Sequence, residues 1–116
     1  MKILVLERDI DVGLIVQEML AIIGHEVTVV ASPGNALTAL SKERFEIFFT
    51  DQIYTGTHLG SLLPSMARAV QPRLGIVLMS SCQHDPVDQV PVDAVLRKPF
   101  SIDQAKAAIA AACAQR

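Results

Sequence analysis

The sequence has no tryptophan, one tyrosine and four phenylalanines, so it offers few aromatic side chains on which nucleic-acid bases could stack. It also has no tract rich in lysine or arginine, and its formal net charge is -2. Without a basic patch there is no electrostatic attraction for a nucleic acid or an anionic membrane surface. No apolar run reaches the length of a membrane span, and the run that follows Met1 is too short for a signal peptide. We therefore expect a cytoplasmic protein with no nucleic-acid partner and no membrane partner.

Cysteine and histidine are scarce as well. The two cysteines, Cys82 and Cys113, give neither a disulfide framework nor the spacing of a zinc site. The three histidines also lack metal-ligand spacing. By contrast, 51% of the 116 residues are hydrophobic, which is enough to bury a core without cross-links. This length and composition predict a single folded domain over residues 1–116.

Short apolar runs alternate along the chain with segments of helical periodicity. Continuous runs of this kind are typical of strands that are buried on both faces of a sheet. The polar residues, prolines and glycines that separate these segments predict turns and loops. The predicted strands lie at residues 3–6, 27–31, 45–50, 76–79 and 92–96, a loop is predicted at residues 52–60, and a short helix at residues 85–89.

Between the strands, apolar residues recur at three- and four-residue steps, which predicts amphipathic helices. The first helix is expected to begin after Asp9 and to end at Gly24. Later helices are marked by Ser32 before a proline and by Ser101, with Gln104 as its capping-box partner. The stripes expected to face the core are Val12, Ile15, Met19, Ile22 and Ile23 in the first helix, Ala36, Leu37 and Leu40 in the second, and Leu62, Leu63, Met66 and Val70 in the third.

Strands that alternate with helices predict a parallel α/β sheet with helices on both faces. Ligands of such sheets bind beyond the carboxyl ends of the strands. Three side chains at those ends suit phosphoryl transfer: Asp51 as a nucleophile, Lys98 as a cation that pairs with a phosphoryl oxygen, and Ser81 as a hydroxyl donor. Carboxylates there suit a magnesium ion. The polar residues at the predicted ends are Glu7, Arg8, Asp9, Asp51, Ser80, Ser81 and Lys98.

Each of these residues also has an ordinary structural explanation, which stays open at this point. Asp51 can cap a turn, and Asp9 suits the N-cap of the first helix. Glu7, Ser81 and Lys98 can be solvated side chains at the ends of strands.

Taken together, these strand ends resemble the response-regulator receiver family of two-component signalling. The resemblance implies a flavodoxin-like fold, in which a five-stranded parallel sheet has the order 2-1-3-4-5. It implies that Asp51 is the phosphoacceptor, that Lys98 and Ser81 assist it, and that the peptide bond before Pro99 is cis. It further implies a magnesium ion held by Glu7, Asp51 and the backbone carbonyl of Ile53. The likeness covers the entire chain and is carried by Ile3-Leu4-Val5-Leu6-Glu7, Phe48-Phe49-Thr50-Asp51, Val77-Leu78-Met79-Ser80-Ser81 and Lys98-Pro99-Phe100.

The sequence departs from the family pattern in four places. Arg8 stands where the family has a second acid that ligates the metal directly. The loop after Asp51 lacks the usual proline, and Gly60 comes one residue later than expected. Val95 replaces an aromatic residue of the fifth strand, and no effector domain is expected after the receiver-like domain.

Arg8 has the largest consequence, because it brings the formal charge of the four pocket residues Glu7, Arg8, Asp51 and Lys98 to zero. Unit charges 4 Å apart interact by roughly 4 kcal/mol at an effective dielectric near 20. We therefore expect magnesium to bind weakly or not at all. Arg8 is also able to form a forked ion pair with Asp51. Asp9 is the alternative acid that would substitute as a metal ligand.

Two functions follow from this sequence. One is a stand-alone receiver domain in a phosphorelay, in which a histidine kinase or phosphotransferase phosphorylates Asp51 and a downstream protein partner reads the result. The other is a phosphorylation-independent pseudo-receiver, an interaction module with a degraded metal site. Neither is an enzyme beyond self-phosphorylation and dephosphorylation of Asp51, and both are compatible with a homodimer. A nucleotide binder or small α/β enzyme is disfavoured, since no glycine-rich phosphate loop follows the first strand.

Overall fold

The structure, a computed structural model, describes residues 1–51, 58–80 and 92–114, and of residues 58–62 it describes the backbone alone. From the first strand to the fourth, strands and helices alternate as the sequence predicts, and the last helix follows the fifth strand. In chain order they are β1 (Lys2–Leu6), α1 (Ile10–Ile22), β2 (Glu26–Val30), α2 (Pro33–Lys42), β3 (Ile47–Asp51), α3 (His58–Val70), β4 (Gly75–Ser80), β5 (Ala94–Arg97) and α4 (Ile102–Ala114).

The strand bounds differ from the predicted ones by one or two residues, and the start of α3 differs by more. The loop expected at residues 52–60 ends earlier, because α3 already begins at His58. Gly60 lowers helix propensity by only about 1 kcal/mol, which does not stop a helix that is supported by packing. The rest of that loop and the short helix predicted at residues 85–89 lie outside the described residues. Among the described helices, none is long and apolar enough to cross a membrane.

The described strands form one parallel sheet of five strands in the order β2-β1-β3-β4-β5, which confirms the predicted fold. The central strands β3 and β4 are buried at every residue, and β1 at every residue but its first. This burial is the reason why these strands appear in the sequence as continuous apolar runs. The strand order reverses at β1, so the carboxyl ends of β1 and β3 form the place where open α/β sheets bind ligands.

Side chains alternate between the two faces of the sheet, and helices cover each face, as predicted. α1 and α4 pack on one face and α2 and α3 on the other. Burying one large aliphatic or aromatic side chain contributes about 1.5–3 kcal/mol, so these two clusters hold the strand ends in register. The largest fully buried members include Ile3, Ile47, Phe49 and Met79 on the first face and Leu4, Leu6, Phe48 and Ile76 on the second.

The buried side of α1 differs from the predicted stripe. Gly13 and Leu20 face the sheet, whereas Ile15 and Ile22 are 59% and 67% exposed. The prediction was correct for Val12 and Ile23, which pack against the core, and wrong for Ile15 and Ile22. Aliphatic residues surround this helix, so periodicity alone does not select one side. Gly13 determines which side of α1 is buried. A Cβ at this position would lie 3.0 Å from Val29 Cγ1, so α1 approaches the sheet on the side that lacks a side chain.

The stripe predicted for α2 is confirmed, since its members pack into the core. The stripe predicted for α3 is only partly correct. Leu63 is buried, but Met66 and Val70 are 36% and 42% exposed. These two residues lie on the side of α3 that turns away from the sheet, since Leu63 and Ala67 are the residues that pack into the core.

Polar side chains cap the helices at the predicted positions. Asp9 Oδ1 accepts hydrogen bonds from backbone N–H groups of the first turn of α1 at 3.0 and 3.3 Å. Ser32 Oγ does the same for α2 at 3.1 Å. Ser101 and Gln104 form a reciprocal capping box at the start of α4, with distances of 3.1 and 2.8 Å. Such caps contribute about 1 kcal/mol each and fix the point at which each helix leaves the sheet edge.

Gly75 begins β4 under α4, where no side chain fits. A Cβ there would lie 2.8 Å from Ile47 Cδ1 and 3.1 Å from Ala112 Cβ. We expect Gly75→Ala to lower the free energy of unfolding by about 1–3 kcal/mol, as overpacking of a core does, and urea denaturation measures this. The matched control is Gly34→Ala in α2, where a Cβ meets nothing within 4 Å, so this change should not destabilise the protein. Equal stability of Gly75→Ala and the wild type would contradict the close packing of α4 on the sheet.

Candidate functional site

Three charged side chains meet at the carboxyl edge of the sheet. Glu7 directly follows β1, Asp51 is the last residue of β3, and Lys98 directly follows β5. Lys98 Nζ lies 2.6 Å from Glu7 Oε2 and 3.5 Å from Asp51 Oδ1. The structure thus brings together three of the residues that the sequence predicts for the site, because parallel strands end at a common edge.

Both carboxylates are shielded from solvent, with 3% of Glu7 and 5% of Asp51 exposed. Burial raises the pKa of Glu7; the Lys98 ammonium offsets part of this increase, and the neighbouring Asp51 carboxyl adds to it. The second oxygen of Glu7, Oε1, accepts a hydrogen bond from the backbone N–H of Asp9 at 3.2 Å. Two buried carboxyl groups therefore share one ammonium group.

Arg8 does not form the predicted forked ion pair with Asp51. Its backbone N–H donates to Asp51 Oδ2 at 3.5 Å, while its side chain is exposed and makes no ion pair with any residue that the structure describes. The side chain extends into water because a guanidinium in the turn before α1 is well hydrated there. Asp9, the alternative metal ligand, uses its carboxylate to cap α1.

The described residues do not fit a magnesium ion as they stand. Magnesium needs near-octahedral oxygen ligands, and several of these are usually carboxylates and water. Here Lys98 lies against an oxygen of Glu7 and close to one of Asp51. Among the side chains that the structure describes, those of residues 1–51, 63–80 and 92–114, no cluster of three or more His, Cys, Asp or Glu residues could hold a metal.

Two predicted site groups, the Ser81 hydroxyl and the backbone carbonyl of Ile53, lie outside the described residues, so their roles stay predictions.

The peptide bond between Lys98 and Pro99 is cis, as the resemblance implies. Val95 lies on the edge strand β5 and is 36% exposed.

A surface beside the pocket was missed by the sequence reasoning. The outward side of α1 carries large aliphatic residues that the core does not use. The signal was present in the sequence, because α1 has more aliphatic residues than one buried stripe can hold. Contiguous exposed apolar residues of this kind mark interaction surfaces. The exposed residues are Ile10 at 67%, Leu14 at 54%, Ile15 at 59% and Ile22 at 67%.

Comparisons with known proteins agree with this fold. No protein-family model and no curated protein matches the chain. Among solved structures, the chain is similar to a response regulator receiver domain protein from Clostridium thermocellum, with 19% sequence identity, a TM-score of 0.81, and coverage of 98% of this chain and 94% of that one. It is also similar to a response regulator receiver protein from Sinorhizobium medicae, with 26% identity, a TM-score of 0.80, and coverage of 97% and 94%.

A third similar structure is the receiver domain of a sensor histidine kinase from Pseudomonas aeruginosa, with 20% identity, a TM-score of 0.80 and coverage of 93% of both chains. That domain has a magnesium ion coordinated in its active site cleft. These likenesses confirm the fold that the sequence resemblance implies: the chain has the architecture of response-regulator receiver domains.

The charge at position 8 should control metal affinity. We expect Arg8→Asp to tighten magnesium binding by about tenfold or more, which corresponds to roughly 1.4 kcal/mol, because it restores a third acid beside Glu7 and Asp51. Isothermal calorimetry on both proteins measures this. Arg44→Asp, an exposed change of equal charge at the opposite end of β3, is the matched control and should leave the affinity unchanged. Tight binding of equal strength by wild type and Arg8→Asp would show that another acid has taken the role.

Proposed function

We propose that this receiver-fold domain works in two-component phosphorelay signalling as a stand-alone receiver, with Asp51 as its phosphoacceptor. The observation that carries the proposal is the Asp51 carboxylate, which ends β3, is 5% exposed and has the Lys98 ammonium 3.5 Å from its Oδ1. A histidine kinase or phosphotransferase supplies the phosphoryl group. A downstream protein partner then receives the signal by direct contact.

The residues of the pocket suit this chemistry. Phosphoryl transfer to a carboxylate depends mainly on positioning and on charge neutralisation. Asp51 is positioned by the pairing of β3 with β4, which is in register up to Asp51 itself. Lys98 acts as a point charge for a phosphoryl oxygen, and Ser81, which directly follows β4, supplies a hydroxyl donor. This chemistry ends with the modification of Asp51 and its hydrolysis, so we propose no turnover of an external substrate.

The donor protein needs a surface beside the pocket, and we propose that α1 supplies it. α1 starts at Ile10, three residues after Glu7. Its exposed aliphatic residues flank two acids, Asp11 and Glu18, which are exposed as well. This surface is complementary to a helix that carries apolar side chains together with lysine or arginine.

Leu14→Glu should weaken this docking. We expect the kcat/KM of phosphotransfer from the cognate histidine kinase to fall about tenfold or more, a loss of roughly 1.4 kcal/mol of contact energy. The kinase is found by testing the histidine kinases of the source organism for transfer to this domain. Phosphorylation by a small acyl phosphate should not change, because Leu14 is 54% exposed and outside the pocket. Thr38→Glu, exposed on α2 on the other face of the sheet, is the matched control. Undiminished transfer to Leu14→Glu would rule out α1 as the docking surface.

Arg8 favours a second candidate function, the phosphorylation-independent pseudo-receiver. With Arg8 and Lys98 balancing Glu7 and Asp51, the formal charge of the four residues is zero without any metal or phosphoryl group. A partner that recognises this state would bind the unmodified protein.

Both candidates share several finer proposals. We propose one receiver-like domain over residues 1–116, a cytoplasmic location, weak or absent magnesium, and no nucleic-acid partner. A homodimer is compatible with either candidate. The expected output surface consists of residues 85–89, β5 and α4, of which residues 85–89 lie outside the described part of the chain.

Covalent modification of Asp51 separates the two candidates. The wild type is incubated with a small acyl phosphate and magnesium, and we expect intact-mass measurement to show a gain of one phosphoryl group. The reason is that Asp51 ends β3, the position that the phosphoacceptor has in receiver domains. Asp51→Asn should gain none. Asp9→Asn should react like the wild type, since asparagine still caps α1. A modification that persists in Asp51→Asn would show that another residue is the acceptor, and an unmodified wild type would favour the pseudo-receiver.

A further inference from the structure

We propose that Arg8 does in this pocket what a metal ion does in a magnesium-dependent one: its guanidinium binds the phosphoryl group on Asp51, so that phosphorylation needs no divalent cation. This inference rests on the proposed function of Asp51 as phosphoacceptor. It starts from the mismatch between the described residues and a magnesium site.

The geometry places a cation at one oxygen of the acceptor and the backbone N–H of Arg8 at the other. The Lys98 ammonium lies 3.5 Å from Asp51 Oδ1, and the Arg8 backbone nitrogen lies 3.5 Å from Asp51 Oδ2. The Arg8 side chain therefore begins beside the carboxylate. Because it is exposed and has no ion pair among the residues that the structure describes, it can turn toward the pocket without breaking any such contact.

The charges of the pocket call for such a second cation. Lys98 is shared, since its Nζ is closer to Glu7 Oε2 at 2.6 Å than to Asp51 Oδ1. A phosphoryl group carries a charge of about -1.5 to -2 at neutral pH, and because the Asp51 carboxylate loses its own negative charge on phosphorylation, the pocket becomes more negative by up to about one charge. Lys98 alone cannot balance this charge together with that of Glu7. Arginine is suited to the task, because its planar guanidinium donates two parallel hydrogen bonds to phosphoryl oxygens and stays protonated.

The atoms and electrons of the transfer step balance without a metal. An Asp51 oxygen forms a bond to the phosphorus of an acyl phosphate, and the bond between that phosphorus and the acyl oxygen breaks. The carboxylate that leaves takes the electron pair, and no proton moves. The negative charge that spreads over the phosphoryl oxygens during transfer is met by Lys98 on one side and by Arg8 on the other, as an arginine does in other phosphoryl-transfer sites.

The test compares phosphorylation rates with acetyl phosphate in the presence of either magnesium or EDTA, followed by intact-mass measurement and by phosphorus NMR of the product. The wild type should react at similar rates in both media. Arg8→Ala should react about tenfold or more slowly in both, since it lacks the arginine and does not regain the acid. Arg8→Asp should react slowly in EDTA and recover with magnesium. Arg44→Ala removes an exposed arginine at the other end of β3 and should match the wild type.

The outcomes separate this inference from the proposed function. If the wild type reacts only with magnesium, or if Arg8→Ala reacts as fast as the wild type in EDTA, the role of Arg8 is overturned while Asp51 remains the acceptor. If Asp51 stays unmodified in every variant, including Arg8→Asp with magnesium, both the inference and the proposed function are overturned. Thermal unfolding of each variant controls for folding, and the exposure of Arg8 predicts no loss of stability.

Discussion

The ammonium of Lys98, which lies 2.6 Å from Glu7 Oε2 and 3.5 Å from Asp51 Oδ1, joins the ends of β1, β3 and β5 in one buried cluster. The two carboxyl groups are 3% and 5% exposed, and burying charge without a partner is costly, so the ammonium is the partner that their burial requires. Removing one partner of such a buried pair typically costs about 3–5 kcal/mol, because the remaining charge loses its compensation. The arrangement of the whole pocket therefore depends on this contact.

The fold supplies the conditions for that contact. Parallel pairing aligns the carboxyl ends of the strands, and the apolar clusters on both faces of the sheet hold them in register. Gly13 lets α1 lie close to the end of β1, with the position of a missing Cβ 3.5 Å from Glu7 Cβ. The Asp9 cap then fixes the start of α1 directly after Arg8. Gly13 and Asp9 therefore help to determine where the charged groups of the pocket lie.

Much of this was predictable from sequence, and the exceptions have physical causes. Glu7, Asp51 and Lys98 could be placed together because each follows an apolar run, and strand ends converge in any parallel sheet. For α1, the packing of Val12 and Ile23 against the core was predicted correctly. Ile15 and Ile22 were mispredicted as core residues, since they are as apolar as the residues that are buried. The direction of the Arg8 side chain was mispredicted too. The direction of a long charged side chain in a turn depends on its hydration and not on the register of a strand. The periodicity of the sequence therefore does not predict that direction.

The central claim is that the chain's own cations, rather than a divalent metal, balance the acids of this pocket. The most direct test is anomalous diffraction from crystals of the wild-type protein grown with manganese, which takes the place of magnesium and is located by its own scattering. We expect no manganese peak between Glu7 and Asp51, and a Lys98 Nζ that stays within hydrogen-bond distance of Glu7. A manganese ion ligated by both carboxylates, with Lys98 displaced from Glu7, would contradict this claim.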